Sequence, residues 1–244
     1  MPAYDFRTPR IFVAAALAAD AEIAFDRDQA NYLRNVLRLE SGDAVLLFNG
    51  RDGEWRARLA VAKRALTAAV EERLRTQPAP PDLHFLFAPL KHSRLDYMVQ
   101  KAVEMGVSRL RPVLTRFTQV SRVNVERMRA NVIEAAQQCG VLSLPEVMEP
   151  ADFGKIAEYG RLLIFCDERA EVQDPIEALR AVPRLPLSLL IGPEGGFAEE
   201  ERAALLKRGQ TVRIALGPRI LRGDTAAVAA MALVQAVLGD WRGT

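Results

Sequence analysis

The stretch over residues 187–238 most constrains the fold, because it holds two apolar runs that each end in a glycine-marked loop. The first run, at 187–191, leads into the loop 192–197. The second run, at 212–216, leads into the loop 217–225, and each loop opens a helical pattern. In open α/β sheets, ligands bind at the carboxyl ends of strands, in loops of this kind. The sequence therefore predicts a ligand site built from these two loops.

A proline-rich segment divides the chain. Residues 76–81 include three prolines in four positions, which stop any regular element and stiffen the connection. Before this segment, short apolar runs separated by turn residues predict a small β-rich domain with one helix over 26–39, capped by Asp26 or Asp28. After it, strand and helix patterns alternate, which predicts a mostly parallel sheet covered on both faces. We predict domains over 1–75 and 82–244, joined by the linker 76–81.

Composition favours a globular protein over several other classes. The 244 residues carry a formal net charge of +2, which by itself does not indicate nucleic acid. No apolar run is long enough for a membrane span, and the first residues lack the pattern of a signal peptide. Cys139 and Cys166 are predicted to be buried free thiols in a reducing compartment. The two histidines, His84 and His92, form no cluster with cysteine, so we predict no metal site.

Arginine is concentrated in one stretch of the second domain. Residues 109–129 contain six arginines and a single acidic residue, Glu126. One explanation is a GC-rich coding bias, since arginine outnumbers lysine over the whole chain. The other is a guanidinium-rich face that binds phosphates. Composition alone leaves both open.

The loop 192–197, Gly-Pro-Glu-Gly-Gly-Phe, is the most specific local signal. Glycines allow a backbone to approach a ligand and to expose its N–H groups. The alternative is a tight turn between strand and helix that requires positive φ. The loop matches neither the dinucleotide fingerprint nor the phosphate-binding P-loop.

The second loop contains residues suited to both binding and structure. Ile220 and Leu221 are unusual in a solvent loop and would suit the wall of a pocket for an adenine ring. Arg222 is predicted to face a substrate, the alternative being a surface salt bridge. Asp224 or Thr225 could also serve only as the N-cap of the last helix.

Two further groups of basic residues are candidates for contact with RNA. Arg34 and Arg38 are four residues apart on one predicted helix face, which brings two guanidinium groups together for phosphate contact. A solvated helix face is the alternative. Lys91 and His92 follow the first strand of the second domain and could meet RNA or a cofactor.

Six motifs, in order over nearly the whole length, have matches in one family. They are Arg-Ile-Phe at 10–12, Leu-Arg-Asn-Val-Leu-Arg at 33–38 with Gly-Asp at 42–43, Gln-Lys-Ala-Val-Glu-Met-Gly-Val at 100–107, Glu-Ala-Ala-Gln-Gln-Cys at 134–139, Ile-Gly-Pro-Glu-Gly-Gly-Phe at 191–197, and residues 216–226. Through them the chain resembles the bacterial 16S ribosomal RNA (uracil-N3) methyltransferases of the SPOUT class. It departs from the family pattern at Asn31-Tyr32, where a histidine pair is usual, and at Gly223-Asp224, where Ala-Glu is usual.

The resemblance implies a PUA-like β-barrel followed by an α/β SPOUT domain with a deep trefoil knot. It also implies S-adenosylmethionine as the cofactor, a homodimer, a cytoplasmic location, and methylation of one uridine in 16S rRNA of the 30S subunit. The implied cofactor-binding residues are Phe165, Cys166, Ile191, Gly192, Glu194, Gly195, Gly196, Leu216, Gly217, Ile220, Leu221 and Thr225. The implied RNA-binding residues are Arg7, Arg10, Arg34, Arg38, Lys91, Arg116 and Arg122.

A mechanism follows for methyl transfer to uracil N3. The imide must lose its proton before it becomes a good nucleophile, so the site must stabilise an anion on the uracil oxygens. Arg222 is the candidate for that task, and Asp224 or Glu194 is the candidate general base. The alternatives are a ribose 2′-O-methyltransferase of the same class and a non-catalytic RNA-binding factor in ribosome assembly.

Overall fold

A computed structural model describes residues 5, 7–61, 65–120, 122–156, 160–171, 174–183 and 185–242. The chain divides into two compact units, Met1–Ala79 with Ala136–Leu144, and Pro80–Ala135 with Pro145–Thr244. The domain boundaries given above stay a prediction. The structure adds the segment Ala136–Leu144 to the first unit, which no local sequence pattern indicates.

The first unit is built on a five-stranded sheet among its described residues. Its strands, in chain order, are β1 (Arg10–Phe12), β2 (Glu22–Ala24), β3 (Ala44–Phe48), β4 (Glu54–Val61) and β5 (Leu66–Arg75). Their order in the sheet is β1-β3-β4-β5-β2, with β1 and β3 parallel and the other pairs antiparallel. The β-rich domain predicted for this part of the chain is thus confirmed.

The one helix of this unit is shorter than predicted. Helix α1 (Arg27–Asn31) begins after Asp26, whose side chain accepts a hydrogen bond from the Gln29 N–H, while Gln29 bonds back to the Asp26 N–H. Asp26 is therefore the N-cap. The chain then continues as a π-helical turn (Tyr32–Val36), so a single α-helix over 26–39 is wrong.

A buried ion-pair network lies within the first unit. The Arg10 guanidinium is 2.5 Å from Glu54 and donates to the backbone carbonyls of Ala136, Gln137 and Val141. The Glu54 carboxylate also accepts two hydrogen bonds from Arg75, at 2.7 and 2.8 Å. Because its side chain is 2% exposed and fully engaged, Arg10 has no guanidinium to offer to RNA, and that prediction is wrong.

The second unit has the alternating pattern of an α/β domain. Its strands are β6 (Leu83–Phe87), β7 (Arg109–Leu114), β8 (Glu146–Val147), β9 (Ala151–Asp152), β10 (Leu162–Cys166), β11 (Leu187–Ile191) and β12 (Thr211–Ile214). Its helices are α2 (His92–Glu104), α3 (Val125–Cys139, whose last turn belongs to the first unit), α4 (Pro175–Arg180), α5 (Glu199–Leu206) and α6 (Gly223–Val237), with short 3₁₀ turns at Phe153–Lys155 and Asp240–Arg242.

The strands of the second unit form a parallel sheet in the order β12-β10-β11-β6-β7-β8, and β9 pairs with β7. Its central strands are nearly continuous apolar runs, as expected for strands buried on both faces. Glycines with positive φ follow two of its helices: Gly106 and Gly140, after α2 and α3, have φ of 74° and 70°. Asp174 caps α4 with proline at its first position.

A buried carboxylate joins three elements at one end of this sheet. Asp167 directly follows β10 and is 4% exposed. It lies 2.9 Å from the Arg202 guanidinium on α5 and 3.6 Å from that of Arg213 on β12. The hydrogen bond from Arg202 to Asp167 raises the pKa of that guanidinium. The network fastens α5 and β12 to the end of β10.

The two cysteines differ in environment. Cys139 is exposed, so its predicted burial is wrong, whereas Cys166 is partly buried. Burial, and secondly the Asp167 carboxylate, raise the pKa of the Cys166 thiol to about 12. Among the described residues, no helix combines the length and the hydropathy that crossing a membrane requires.

We predict that Glu54→Gln lowers the free energy of unfolding by about 3–5 kcal/mol, because it leaves two arginines without their buried carboxylate. Urea unfolding measures this change. Glu71→Gln is the matched control: its carboxylate is 39% exposed beside Arg58, and we expect a change below about 1 kcal/mol. Equal effects of the two substitutions would contradict the buried network.

The same network predicts a pH dependence. Burial raises the pKa of Glu54, but hydrogen bonds from Arg75 and Arg10 outweigh that effect and hold the pKa below its ordinary value. The stabilisation by Glu54 is therefore fully present above its unfolded pKa of about 4.3 and is lost as pH falls through the lower folded pKa. The stability difference between wild type and Glu54→Gln should shrink on acidification.

We predict that Asp167→Asn lowers the free energy of unfolding by about 3 kcal/mol, since it removes the carboxylate shared by Arg202 and Arg213. Glu168→Gln, at the exposed next position, should change it by less than about 0.5 kcal/mol. Thermal and urea unfolding measure both. An Asp167→Asn protein as stable as its control would show that the network does not hold these elements together.

Candidate active site

Four neighbouring parallel strands end at the same edge of the second unit's sheet. They are β12, β10, β11 and β6, whose last residues are Ile214, Cys166, Ile191 and Phe87. The sheet extends from β6 in one direction through β7 and β8, and from β11 in the other. The strand order thus reverses between β6 and β11, which is where open α/β sheets bind ligands.

Phe197 determines the shape of the glycine loop after β11. A Cβ at position 192 would lie 2.9 Å from its ring, so only glycine leaves room for it. The ring in turn packs edge-on against Phe165, at 5.9 Å between centroids. Gly196 has φ of 73°, and its N–H bonds to the Pro193 carbonyl. The alternative of a tight turn with positive φ is therefore correct for part of the loop, and Gly192 serves the packing of Phe197.

Two contacts from neighbouring loops hold the glycine loop. Arg94, in the first turn of α2, lies 3.2 Å from the Glu194 carboxylate, and each side chain is about one third exposed. Phe117, in the loop after β7, packs on Gly195, where a Cβ would be 3.3 Å from the Phe117 Cβ. Neither Arg94 nor Phe117 was predicted from the sequence, although each follows the end of a strand, as Lys91 does.

The loop after β12 is open to solvent along most of its length. Gly217 has φ of 85°, and a Cβ there would meet nothing within 4 Å. Leu216 and Leu221 are partly buried, whereas Ile220 is fully exposed. The loop therefore presents free backbone and apolar side chains at the edge where the glycine loop also lies.

Helix α6 begins at this edge with Arg222 at its N-cap position. Its side chain makes no capping bond, and Asp224 lies inside the first turn, where its carboxylate accepts the Thr225 N–H and no other hydrogen bond from the described residues. The alternative that Asp224 or Thr225 is the N-cap is thus wrong. Gly223 packs on Leu90, in the loop after β6, with only 3.1 Å between a built Cβ and the Leu90 side chain. The start of α6, with Arg222 and Asp224, is therefore held beside the loop after β6.

Cys166 lies between the two glycine-marked loops, because β10 lies between β11 and β12. Its neighbour Phe165 is fully buried, and its ring is in the core with Leu86 and Leu190. A direct ligand contact by the Phe165 ring is therefore not possible, and the residue supports the glycine loop through Phe197. Ile191 is also buried, and its carbonyl accepts the Ala88 N–H.

The remaining basic candidates are exposed in both units. Arg7, Arg34 and Arg38 are exposed in the first unit. Lys91, Arg116 and Arg122 are exposed in the second, after β6 and β7. Of the arginines in 109–129, three are paired with carboxylates: Arg109 with Glu146, Arg127 with Asp96, and Arg129 with Glu126.

Other parts of the second unit are less suited to binding a ligand. A cavity of about 420 Å³ lies at the opposite edge of the sheet, where Leu83 and Leu187 begin their strands. That is the amino edge, at which α/β sheets do not bind their ligands. Within the described residues, no three His, Cys, Asp or Glu side chains come together as metal ligands.

Comparison with known proteins bears on this arrangement. Residues 77–235 match the family described as RNA methyltransferase domain, and residues 25–71 match the RNA methyltransferase PUA domain. A ribosomal RNA small subunit methyltransferase E from Rickettsia conorii is 31% identical over 93% of this chain and 94% of its own length. The protein of that name from Synechocystis is 30% identical over 94% and 78%.

Solved structures agree. The methyltransferase E of Neisseria gonorrhoeae, crystallised bound to S-adenosyl methionine, has a TM-score of 0.83 at 26% identity and covers 96% of this chain and 100% of its own. A methyltransferase from Legionella pneumophila, in complex with the same cofactor, has a TM-score of 0.81 at 28% identity, with 96% and 99% covered.

These matches confirm the predicted fold class, a PUA-like domain followed by an α/β methyltransferase domain of the SPOUT type. The trefoil knot stays a prediction. The glycine loops, the arginine at the start of α6 and the two domain matches lead to one conclusion: the chain belongs to the family of ribosomal RNA small subunit methyltransferase E.

Proposed function

We propose that this chain methylates N3 of a uridine in 16S rRNA and produces 3-methyluridine. Methylation of ribosomal RNA with S-adenosylmethionine follows from its family. The observation that carries the finer assignment is Arg222, a cation at the N-cap position of α6, with the Asp224 carboxylate in the same helical turn and at the sheet edge where the glycine loop also lies. An imide nitrogen requires this combination, because its proton must leave while charge develops on the uracil oxygens.

The two loops are suited to the cofactor. S-adenosylmethionine supplies a methyl group made electrophilic by its sulfonium charge. The backbone is accessible at Gly196 and Gly217. A Cβ at Gly196 would meet only Glu168, at 3.9 Å, and a Cβ at Gly217 would meet nothing within 4 Å. Ile220 and Leu221 provide the apolar surface that an adenine ring requires. Ile191, Gly192, Gly195, Leu216 and Thr225 complete the proposed cofactor-binding residues, with the half-buried Cys166 between the loops.

The N-cap position of α6 is an unfavourable place for the positive charge of Arg222. The N-terminus of a helix carries positive partial charge, which disfavours a cation. No described residue accepts a hydrogen bond from the Arg222 guanidinium, so the alternative of a surface salt bridge finds no support in the described residues. A residue that breaks a local rule without compensation is expected at a functional site. We assign it to stabilise the negative charge on the uracil oxygens.

The two candidate bases differ in their partners. Glu194 is already paired with Arg94, which fixes its position and satisfies its charge. Asp224 has only the Thr225 N–H as a described partner. We therefore assign Asp224 to accept the N3 proton, and we assign Glu194 with Arg94 to hold the glycine loop in place.

The proposal extends to partners and location. The exposed basic residues Arg7, Arg34, Arg38, Lys91 and Arg122 are assigned to rRNA phosphates, with Arg116 beside the glycine loop. We propose that the protein acts as a homodimer on the 30S subunit in the cytoplasm, as the family resemblance implies.

One experiment tests the reaction itself. The gene is deleted, 16S rRNA is digested to nucleosides, and mass spectrometry asks which methylated nucleoside is lost and is restored by the purified protein with S-adenosylmethionine. Loss of 3-methyluridine supports the proposal. Loss of a 2′-O-methylated nucleoside would assign the ribose instead, and no change in methylation would favour the non-catalytic factor.

We predict that Arg222→Ala lowers kcat by about 10²- to 10³-fold, because one charge-stabilising donor is removed from the transition state. Cofactor affinity, measured by calorimetry, should stay within about twofold. Arg180→Ala removes an exposed arginine at the end of α4 and serves as the control. Wild-type turnover by Arg222→Ala with normal cofactor binding would refute the assignment.

We predict that Asp224→Asn lowers kcat by about 10²- to 10⁴-fold, the range expected for loss of a general base. Glu194→Gln should cost less than about tenfold in kcat, because that carboxylate positions the loop. Single-turnover methyl transfer from labelled S-adenosylmethionine measures both variants. The reverse order of effects would make Glu194 the base.

A further inference from the structure

Arg116 and Phe117 form the tip of a tight turn at the carboxyl end of β7. The hydroxyl of Thr118 accepts the Thr115 N–H at 2.9 Å, and the Thr118 N–H bonds back to the Thr115 carbonyl at 3.1 Å. The two threonine hydroxyls are also 2.9 Å apart. The turn is closed by its own hydrogen bonds, so the two residues at its tip are held in place.

The turn is also fastened to α5. The Glu201 carboxylate accepts the Arg116 N–H at 2.7 Å with one oxygen and the Ala198 N–H at 2.9 Å with the other. Glu201 therefore links the turn after β7 to the start of the helix that follows the glycine loop. An aromatic side chain held this firmly loses little entropy when it binds a ligand.

The Phe117 side chain packs on the glycine loop but is not enclosed by it. A Cβ at Gly195 would lie 3.3 Å from its Cβ and 3.7 Å from its Cγ. The residue nevertheless remains 48% exposed, and no ring or cation among the described residues stacks on it. An aromatic side chain is thus presented to solvent directly beside the proposed cofactor site.

The charge around Phe117 favours a nucleic acid. In the arginine-rich stretch, Arg109, Arg127 and Arg129 have carboxylate partners of their own. Arg116 and Arg122, on either side of Phe117 in sequence, are exposed, and no described carboxylate lies within salt-bridge distance of either guanidinium. Arg116 and Arg122, the two exposed arginines of this stretch without a described carboxylate partner, therefore flank the exposed ring in sequence.

We propose that Phe117 is a stacking platform for an unpaired base of the RNA substrate, next to the target uridine, with Arg116 on the adjoining phosphate. The inference rests on the proposed function for the identity of the substrate. N3 of a paired uracil is hidden, so the substrate must be presented unstacked, and a displaced base gains a partner on an aromatic side chain. Stacking of this kind tolerates any base, because every base has a π face.

The experiment measures binding of two fluorescein-labelled RNA probes by anisotropy, with the full-length protein and S-adenosylmethionine present. One probe is a short oligouridine, and the other has the same length with abasic sites in place of the bases. We expect the wild type to prefer the oligouridine. Phe117→Ala should weaken oligouridine binding by about 5- to 100-fold and leave binding of the abasic probe unchanged.

Two further variants separate stacking from packing and from charge. Phe117→Trp should restore the preference for bases, whereas Phe117→Leu, which keeps apolar contact with Gly195, should not. Arg116→Ala should weaken binding of both probes equally and reduce the slope of log Kd against log salt concentration by about 1. Trp241→Ala is the matched control, because Trp241 is an aromatic residue that is 53% exposed in the 3₁₀ turn after α6. We expect this variant to bind both probes as the wild type does.

The outcomes distinguish this inference from the proposed function. The stacking role is overturned if the wild type binds both probes equally. It is also overturned if Phe117→Leu, unlike Phe117→Ala, restores the preference for oligouridine. The same holds if Phe117→Ala loses cofactor affinity but not RNA affinity. If wild type transfers no methyl group yet Phe117→Ala loses its base preference, the proposed function fails and the stacking site stands.

Discussion

Parallel pairing of β12, β10, β11 and β6 is the constraint on which the candidate site depends. It places four strand ends at one edge and so brings together loops from as far apart in sequence as Phe87, at the end of β6, and Ile214, at the end of β12. The Asp167 network then fixes the relation of β10 to α5 and β12. The glycine-marked loops need little structure of their own, because the sheet beneath them supplies it.

The glycine loop combines open and occupied positions. Gly192 leaves room for the Phe197 ring and Gly195 for Phe117, so these two glycines serve the packing of the protein. Gly196 and Gly217 have positive φ and open surroundings, which suits a ligand that binds to backbone groups. Within one short motif, therefore, some glycines support the loop and another leaves it accessible. Substitutions at the two kinds of position should have different effects, on folding and on binding respectively.

Local pattern was enough to predict most elements and the edge where the site lies. The Asp26 N-cap, one of the two predicted candidates, is set by neighbours in sequence and was predicted correctly, whereas the second apolar run, expected to end at 216, forms a strand that ends at Ile214. The role of Arg10 was not predicted correctly, because its partners include Glu54 and carbonyls more than 120 residues away. The pairing of Glu194 with Arg94 and the packing of Phe117 on Gly195 were missed for the same reason. Contacts between loops depend on sheet order, which periodicity does not determine.

The thiol of Cys166 has a consequence for the durability of the site. A thiolate beside a sulfonium would itself accept the methyl group, and the protein would be alkylated by its own cofactor. Burial and the Asp167 charge raise the pKa of this thiol to about 12, so it stays protonated and weakly nucleophilic. Burial of the thiol, assisted by the carboxylate at the sheet edge, thus keeps the proposed pocket chemically inert toward the methyl group that we propose it transfers.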